Sequence, residues 1–543
     1  MMSVPQKKLK IALLVARPDA DFFTHDILKY LLQRKNLFET FVIISKCKDY
    51  LPGIKQRLFN LAVNIEKKVL IRKQLPDEKY FRDYLLSTDA DKTITVNPVS
   101  SSKGSFLQFS REDVTTLKKI KPDLILNFSN AEPGDEIANI PEMGFISFQH
   151  RNEGNRISSP PGFWEVYHKK EQTEFIIERT TTDKGKREIV FKGSYPTQYS
   201  YLLNQVFFLE NAYHHIKSFL ESVAVTGKVK VRKTENAFKA QRYPNLYQTL
   251  KYLVQLSFIK FRKASDSIRG RSERWEVRYS TAEWDNLELS QTKTVSNPPH
   301  TFYADPFIFF YKSKPYLFVE EFCYKRGKGM ISVLEYANNS FIKKATIIDE
   351  EFHLSFPFIF EHENEIYMCP ETWQSGQIRL YKCTSFPEKW ELVKVLMDGV
   401  HTVDTMLMQK DGKWYMLTNI MNPGGGATNE LFIYYADDLF SGKWQPHAMN
   451  PIMVDASNGR NAGLLKKDGK FFRAAQGFGF DLYGKKISIF EILKITPFEY
   501  EEKLVEEILP SYDKKVIGNH HLSSHNGFTV FDTIVKSFLS KAS

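Results

Sequence analysis

The sequence predicts a chain of two unlike regions: an α/β domain on a doubly wound parallel sheet, followed by an all-β five-bladed β-propeller. Three observations predict it. Strand-like and helix-like segments alternate over residues 1–225. From residue 275 the texture changes to short strands with turns such as KDGK, at 410–413 and again at 467–470. Within that later region a single pattern recurs with a period of roughly fifty residues, the mark of a repeated sheet unit. The chain has 543 residues, too many for one ordinary core, and its 42% hydrophobic and 14% aromatic content suits folded domains.

In chain order, KIALLVA (10–16) reads as a buried strand, DFFTHDILKYLLQRKN as a helix and FETFVIIS as a second strand. REDVTTLKKIKPDLILNFS reads as a helix followed by a strand, and MGFISFQH as another strand. The basic flank and short apolar run at the N-terminus fit a first strand better than a signal peptide. The four cysteines, Cys47, Cys323, Cys369 and Cys383, show neither paired metal spacing nor a disulfide framework, so no metal site is expected and a reducing, cytoplasmic setting is.

A linker, 226–274, separates the two regions. The formal net charge is +11, and thirteen Lys and Arg against Glu235, Asp266 and Glu273 fall between Lys228 and Arg274. Inside it, YPNLYQTLKYLVQLSFIKFRK (243–263) predicts a helix beginning after Pro244. A basic amphipathic helix of this kind suits peripheral contact with an anionic membrane; the plainer alternative is a packed interdomain helix with a solvated basic face. Nothing resembles a nucleic-acid recognition helix or stacking platform, so nucleic acid is not an expected partner.

The propeller is expected over 275–543. DPFIFFYKSKPYLFVEE from Asp305, FPFIFEHENEIYMCPE from Phe356, DTMLMQKDGKWYMLTN from Asp404 and NAGLLKKDGKFFRAAQ from Asn461 share one spacing. An aromatic follows the first residue by eleven (Tyr316, Tyr367, Tyr415, Phe472), and a polar residue follows four later (Glu320, Glu371, Asn419, Gln476). A third strand comes after each: ISVLEY, IRLYKC, LFIYYA and ISIFEI. NGFTVFD from Asn526 matches as a fifth first strand, and strands near 275–295 are expected to complete the last blade and close the ring.

Equivalent repeat positions return to one end of a propeller. Asp305, Asp404, Glu320 and Glu371 are therefore expected to converge on one channel mouth. Carboxylates crowded in a concave site raise one another's pKa and suit acid–base work on a glycosidic bond. Asp305, Asp404 and Glu371 are the candidate catalytic residues. Glu320, Arg460, Asn461, Gln476, His525 and Asn526 are candidates for holding substrate. The competing reading is that turn aspartates merely cap strand ends.

Two resemblances sharpen these expectations. KPDLILNFSNAEPGDEIANIPEMGFISFQHRNEGNRISSPPGFWEVYHKKEQTEFIIERTTTDKG (121–185) resembles the core of the formyltransferase family, as in methionyl-tRNA and sugar-amine N-formyltransferases. That resemblance implies a Rossmann-like fold, a formyl-tetrahydrofolate cofactor and an amine acceptor. The family's Asn-x-His signature falls on Ser147 and Gln149, with His150 adjacent, Asn152 following and Asp183 the candidate for its later Asp. Ser and Gln can donate hydrogen bonds but cannot move a proton near neutral pH. His150 could replace the family's His only across a bulged strand end. HTFYADPFIF, CPET, HTVDTML, GRNAG, FRAAQ and LYGKKISIFEI resemble the five-bladed domain of family 43 and family 32 glycoside hydrolases. They are also similar to the propeller of plant glucosamine inositolphosphorylceramide transferases. The hydrolase resemblance implies two Asp and a Glu general acid; Asp305 and Asp404 match the first two, and Glu371 departs by preceding the second Asp.

Three functions follow as expectations. The first is a carbohydrate-active enzyme of glycan or glycolipid synthesis with its sugar at the propeller mouth, the other domain binding a nucleotide sugar, a folate or a partner. The second is an amino-sugar N-formyltransferase using formyl-tetrahydrofolate, with the propeller as carbohydrate-binding module. The third is a non-catalytic scaffold for a glycosyltransferase.

Overall fold

A computed structural model describes residues 8–45, 54–71, 73–74, 78–86, 92–96, 98–99, 106–129, 132–150, 160–180, 186–236, 243–421, 428–440 and 442–538. The chain divides into two compact units, Met1–Phe261 and Arg262–Ser543.

The first unit carries a mixed eight-stranded sheet. Five strands run parallel, in the order Lys92–Val96, Phe38–Ser45, Leu9–Val15, Leu124–Phe128, Phe145–His150. Gln172–Thr180, Lys186–Pro196 and Lys233–Asn236 extend it antiparallel. The inner parallel strands Leu9–Val15, Phe38–Ser45 and Leu124–Phe128 are near-continuous apolar runs because both faces are covered, while the edge strand Lys92–Val96 is polar and largely exposed. Helices cross between them with the caps their sequences carry. Asp21 accepts from the Thr24 N–H to start Phe22–Gln33, and Ser110 accepts from Asp113 to start Arg111–Ile120. Successive strands wind outward on one side of Leu9–Val15 and then on the other, so the strand order reverses beside it. In such sheets ligands sit outside the carboxyl ends at that reversal.

The second unit is a five-bladed β-propeller. Blade 1 is Thr301–Tyr311, Lys314–Cys323, Lys328–Ala337 and Ser340–Ile348. Blade 2 is Ser355–His362, Glu365–Glu371, Gln377–Ser385 and Lys389–Asp398. Blade 3 is Thr402–Lys410, Lys413–Ile420 and Glu430–Ala436, edged by Gln445–Pro446 and Met453–Val454. Blade 4 is Arg460–Lys467, Lys470–Gly479, Leu482–Ile495 and Tyr500–Ile508. The first strands neighbour one another around a closed ring. Blade 5 joins Val516–His525 and Phe528–Phe538 to Arg271–Ser280, so the chain's later end is zipped to the beginning of the unit and the sheet edge is hidden.

One expectation fails here. Asn526 does not begin an innermost strand. It sits with Gly527 in the tight turn of the last hairpin, both with positive φ (48° and 78°), and the innermost strand precedes it.

Each innermost strand bulges where the repeat begins. Pairing breaks between Ala304 and Phe307, Ser355 and Phe358, Val403 and Met406, Asn461 and Gly463, and Asn519 and Leu522. Asp305, Phe356 and Asp404 all take φ near +50°, a conformation that tilts the strand and aims the side chain. The fifteen-residue repeat spacing has a plain cause: Glu320, Glu371, Asn419 and Gln476 pair directly with Ala304, Ser355, Val403 and Arg460, the residue before each repeat start. In blade 4 the bulge glycine Gly463 has φ 138°, and a Cβ there would meet the Leu522 carbonyl oxygen at 2.1 Å. Gly463→Ala is therefore expected to cost at least about 2 kcal/mol, read by urea denaturation.

Candidate active site at the propeller mouth

The bulges bring Asp305, Glu320, Glu371, Asp404 and Arg460 together at one end of the ring, all buried. Asp305 Oδ2 accepts from the Phe356 N–H of the next blade at 3.1 Å. Arg460 donates through Nε to Asp404 Oδ2, and through Nη1 to Thr428 Oγ1 at 2.7 Å. Glu371 is within hydrogen-bonding reach of Asp404, and Glu320 lies 3.5 Å from His353 Nε2.

His520 and Asp532 complete the group, and neither is among the candidates read from the sequence. His520 occupies the last blade's bulge, in the place wrongly given to Asn526. Its Nε2 lies 3.2 Å from Asp305 Oδ1 and its Nδ1 2.7 Å from Asp532 Oδ1. Asp532, wholly buried, also accepts from the backbone N–H groups of Asp305 (2.9 Å), His520 (3.3 Å) and His521 (3.0 Å). It is the clamp that joins the last blade to the first. Asp305, His520 and Asp532 are close enough to share a metal ion. The arrangement fits a proton better: each ring nitrogen faces a carboxylate, which suits an imidazolium donating on both sides.

The electrostatics divide the carboxylates into two classes. Burial alone would raise the pKa of Asp305, but His520 pulls it down to about 2. Burial would lower that of His520, but Asp532 and Asp305 push it up to about 10. Glu320 goes well above the usual range through burial and the negative charges of Asp305 and Glu371. Glu371 does so through burial and Asp404, against the opposing pull of Arg460. Burial also raises Asp404, though Arg460 holds it back. The site thus favours the ionised form of Asp305 and the protonated form of Glu371, with Arg460 seated on Asp404. Neighbouring His521 is neutral, its pKa pushed down to about 4 by burial against Phe307 and Phe356.

This pairing predicts a pH profile. The raised His520 pKa makes its contribution full below about pH 6.5 and lost as pH rises through about 10. The depressed Asp305 pKa makes its contribution full above about pH 3.8 and lost as pH falls through about 2. The dyad is thus strongest between those ordinary values. Unfolding free energy should drop by more than about 2 kcal/mol between pH 6 and 10, and His520→Gln should flatten that drop.

The remaining candidates are placed as follows. Asn461 is structural in its contacts: its Nδ2 donates to the carbonyls of Asp404 and Leu417, and its N–H to Asn419 Oδ1. Gln476 reaches the Tyr483 hydroxyl at 3.5 Å, and Tyr483 lies under the Arg460 guanidinium at 5.0 Å. His525 and Asn526 lie at the hairpin end of the last blade, about 16 Å along the strand from His520 at about 3.3 Å per residue, and do not join the group.

In the first unit, Ser147 is buried at the carboxyl end of the sheet, where its Oγ accepts from Asn127 Nδ2 at 3.3 Å. Gln149 and His150 lie in the same strand. Its register to Gln172–Thr180 runs unbroken from Ile146 to His150, so the bulge that His150 would need is not there. Asn152 and Asp183 lie outside the described residues.

Residues 281–526 match the family model described as Glucosamine inositolphosphorylceramide transferase 1, N-terminal. The chain is 37% identical over 219 residues to the glucosamine inositolphosphorylceramide transferase 1 of Oryza sativa subsp. japonica, covering 39% of this chain and 29% of that protein. It is 35% identical over 221 residues to that of Arabidopsis thaliana, covering 38% and 28%. The chain thus spans less than a third of the length of these relatives. Among solved structures it is similar to a thermostable family-43 glycoside hydrolase (17% identity, TM-score 0.32, 45% of this chain and 92% of that one). It is also similar to a Bombyx mori GH32 beta-fructofuranosidase (15% identity, TM-score 0.31, 43% and 57%). Residues 281–526, within the propeller, are therefore the region of this chain that is similar to the N-terminal region of glucosamine inositolphosphorylceramide transferases.

Proposed function

We infer that this protein acts in the synthesis or modification of a glycan or glycolipid, with sugar-bond chemistry at the propeller mouth. One observation carries the reading: two carboxyl groups buried in one site are driven in opposite directions, Asp305 toward the ionised form by His520 and Glu371 toward the protonated form by burial and Asp404. Such a pair is what a glycosyl bond needs, one group to attack or accept a proton and the other to protonate the leaving oxygen. Asp305 is the base or nucleophile, oriented by Phe356 N–H and by His520. Glu371 is the acid. Arg460 holds Asp404 in place and tempers the rise of the Glu371 pKa. The names of the relatives, which are transferases acting on inositolphosphorylceramide, support a glycolipid acceptor. The test is to titrate the chain with a panel of glycosylinositol phospholipid headgroups and nucleotide sugars by calorimetry. Binding that is lost in Asp404→Asn/Glu371→Gln supports the site, and binding unaffected by that pair rejects it.

A second reading applies to the first unit. Its reversal of strand order and the Asn127–Ser147 pair at the carboxyl ends favour a formyltransferase-like, Rossmann-like domain that binds a nucleotide sugar or a folate. With Ser147 in the signature position, this reading is one of binding rather than formyl transfer.

A further inference from the structure

The helix Leu246–Ile268 is amphipathic in an inverted sense. Over Leu246–Phe261 one face is firmly held within the first unit: Thr249, Tyr252, Leu256 and Ile259 are buried, the Tyr252 hydroxyl accepts from the Tyr201 N–H at 2.9 Å, and its ring packs edge-on against Phe163 at 5.3 Å. The opposite face is apolar too, and it is open. Tyr247, Leu250, Val254, Phe258 and Phe261 are between 53% and 72% exposed. Their spacing of three and four residues stacks them into one stripe about 21 Å long, at 1.5 Å per residue.

At 100° per residue, Lys251 and Arg262 flank this stripe on one side, and Asp266 is the helix's single acid; Lys260 sits nearer the buried face, where its Nζ donates to Gln74 Oε1 at 3.1 Å. A second helix of the same unit, Ile54–Ile65, also leaves large apolar side chains, Ile54 and Leu61, exposed beside Lys55 and Arg57, while its Phe59 ring reaches Tyr243 at 6.0 Å.

Large aromatic and aliphatic side chains held in water over four helical turns mark a contact surface. The charge pattern selects its occupant. A second copy laid antiparallel against the stripe would set cation against cation along that flank. A surface of anionic lipid headgroups would neutralise them while accepting the apolar stripe between its acyl chains. No helix among the described residues is long and apolar enough to cross a membrane, so the geometry suits a helix lying flat.

We propose that the stripe Tyr247–Leu250–Val254–Phe258–Phe261 docks this protein on an anionic membrane surface, Lys251 and Arg262 contacting the headgroups. The side chains enter the interface while the buried face keeps its grip on the unit, so docking needs no unfolding. The inference is independent of the propeller site and is tested without it.

The experiment is co-flotation of the full chain with phosphatidylcholine vesicles, with and without about one third phosphatidylserine, at about 0.1 M and about 0.5 M salt. Binding is expected with the anionic vesicles, at least about tenfold weaker at the higher salt. Phe258→Ser/Phe261→Ser should weaken it at least about tenfold at unchanged melting temperature, since both side chains face solvent. Lys251→Glu/Arg262→Glu should lose the preference for anionic vesicles while keeping the stripe. Equal binding to both vesicle types, no vesicle binding, or an unchanged double-serine variant would overturn the proposal. So would self-association in solution that the double-serine variant abolishes, which would assign the stripe to a second copy.

Discussion

Asp305→Asn is expected to lower sugar-bond chemistry at the propeller mouth by about 10²–10⁴-fold while leaving the propeller folded. The amide keeps the shape of the carboxylate, and its oxygen can still accept from the Phe356 N–H. What disappears is the negative charge that His520 holds on Asp305. The loss should carry a signature that general damage would not. His520 is held up to about 10 by two carboxylates, Asp532 and Asp305. Removing one should move the His520 titration downward, visible in its ring proton resonances. Glu320 and Glu371, relieved of a negative neighbour, should titrate lower as well. Turnover that survives Asp305→Asn within a factor of a few would remove Asp305 from the chemistry.

Arg460→Met should destabilise the propeller by about 3–5 kcal/mol near neutral pH. Methionine fills much of the volume, so the effect is mainly electrostatic. Asp404 would be left buried, beside Asp305 and Glu371, without its guanidinium partner. The sign of the pH dependence follows. Without Arg460 the folded-state pKa of Asp404 rises further above its ordinary value, so the neutral carboxyl is the tolerated form. The deficit should be largest near pH 7.5 and shrink toward pH 4.5, where Asp404 can protonate. Urea denaturation at those two pH values checks it, and a deficit under about 1 kcal/mol at pH 7.5 would show that Arg460 is not the counter-charge of the group.

Much of the second unit was legible because a propeller repeats its constraints. Ala304, Ser355, Val403 and Arg460 must each pair with a residue on the returning strand. With hairpins of equal length this imposes one spacing on four blades, and that spacing alone puts Asp305, Glu371 and Asp404 at one end of the ring. The fifth blade escaped for a physical reason. Asn519 faces Thr533 where Ala304 faces Glu320, a hairpin two residues shorter, so the common spacing slid past it and settled on Asn526. The Asn526–Gly527 dipeptide is a strong signal for a two-residue hairpin turn, and it places the innermost strand before it, where His520 and His521 stand. Asp532 was invisible for another reason: it works from the returning strand by accepting backbone N–H groups of the next blade, and no repeat carries an equivalent acid. In the first unit the helix–strand alternation located every parallel strand that it named. Asn127, which donates to Ser147, was not singled out, because an Asn near a strand end is common and only the pairing of Asn127 opposite Ser147 gives it a partner.

Everything proposed for the second unit depends on the propeller mouth being where sugar is held. The most direct measurement is a crystal structure of the chain with a glycosylinositol phosphate or a nucleotide sugar at saturating concentration. Sugar hydroxyls are expected within hydrogen-bonding distance of the Asp305 and Glu371 carboxyl oxygens, with Arg460 still seated on Asp404. A sugar bound only in the first unit, or a mouth that stays empty while the ligand binds elsewhere on the propeller, would contradict it.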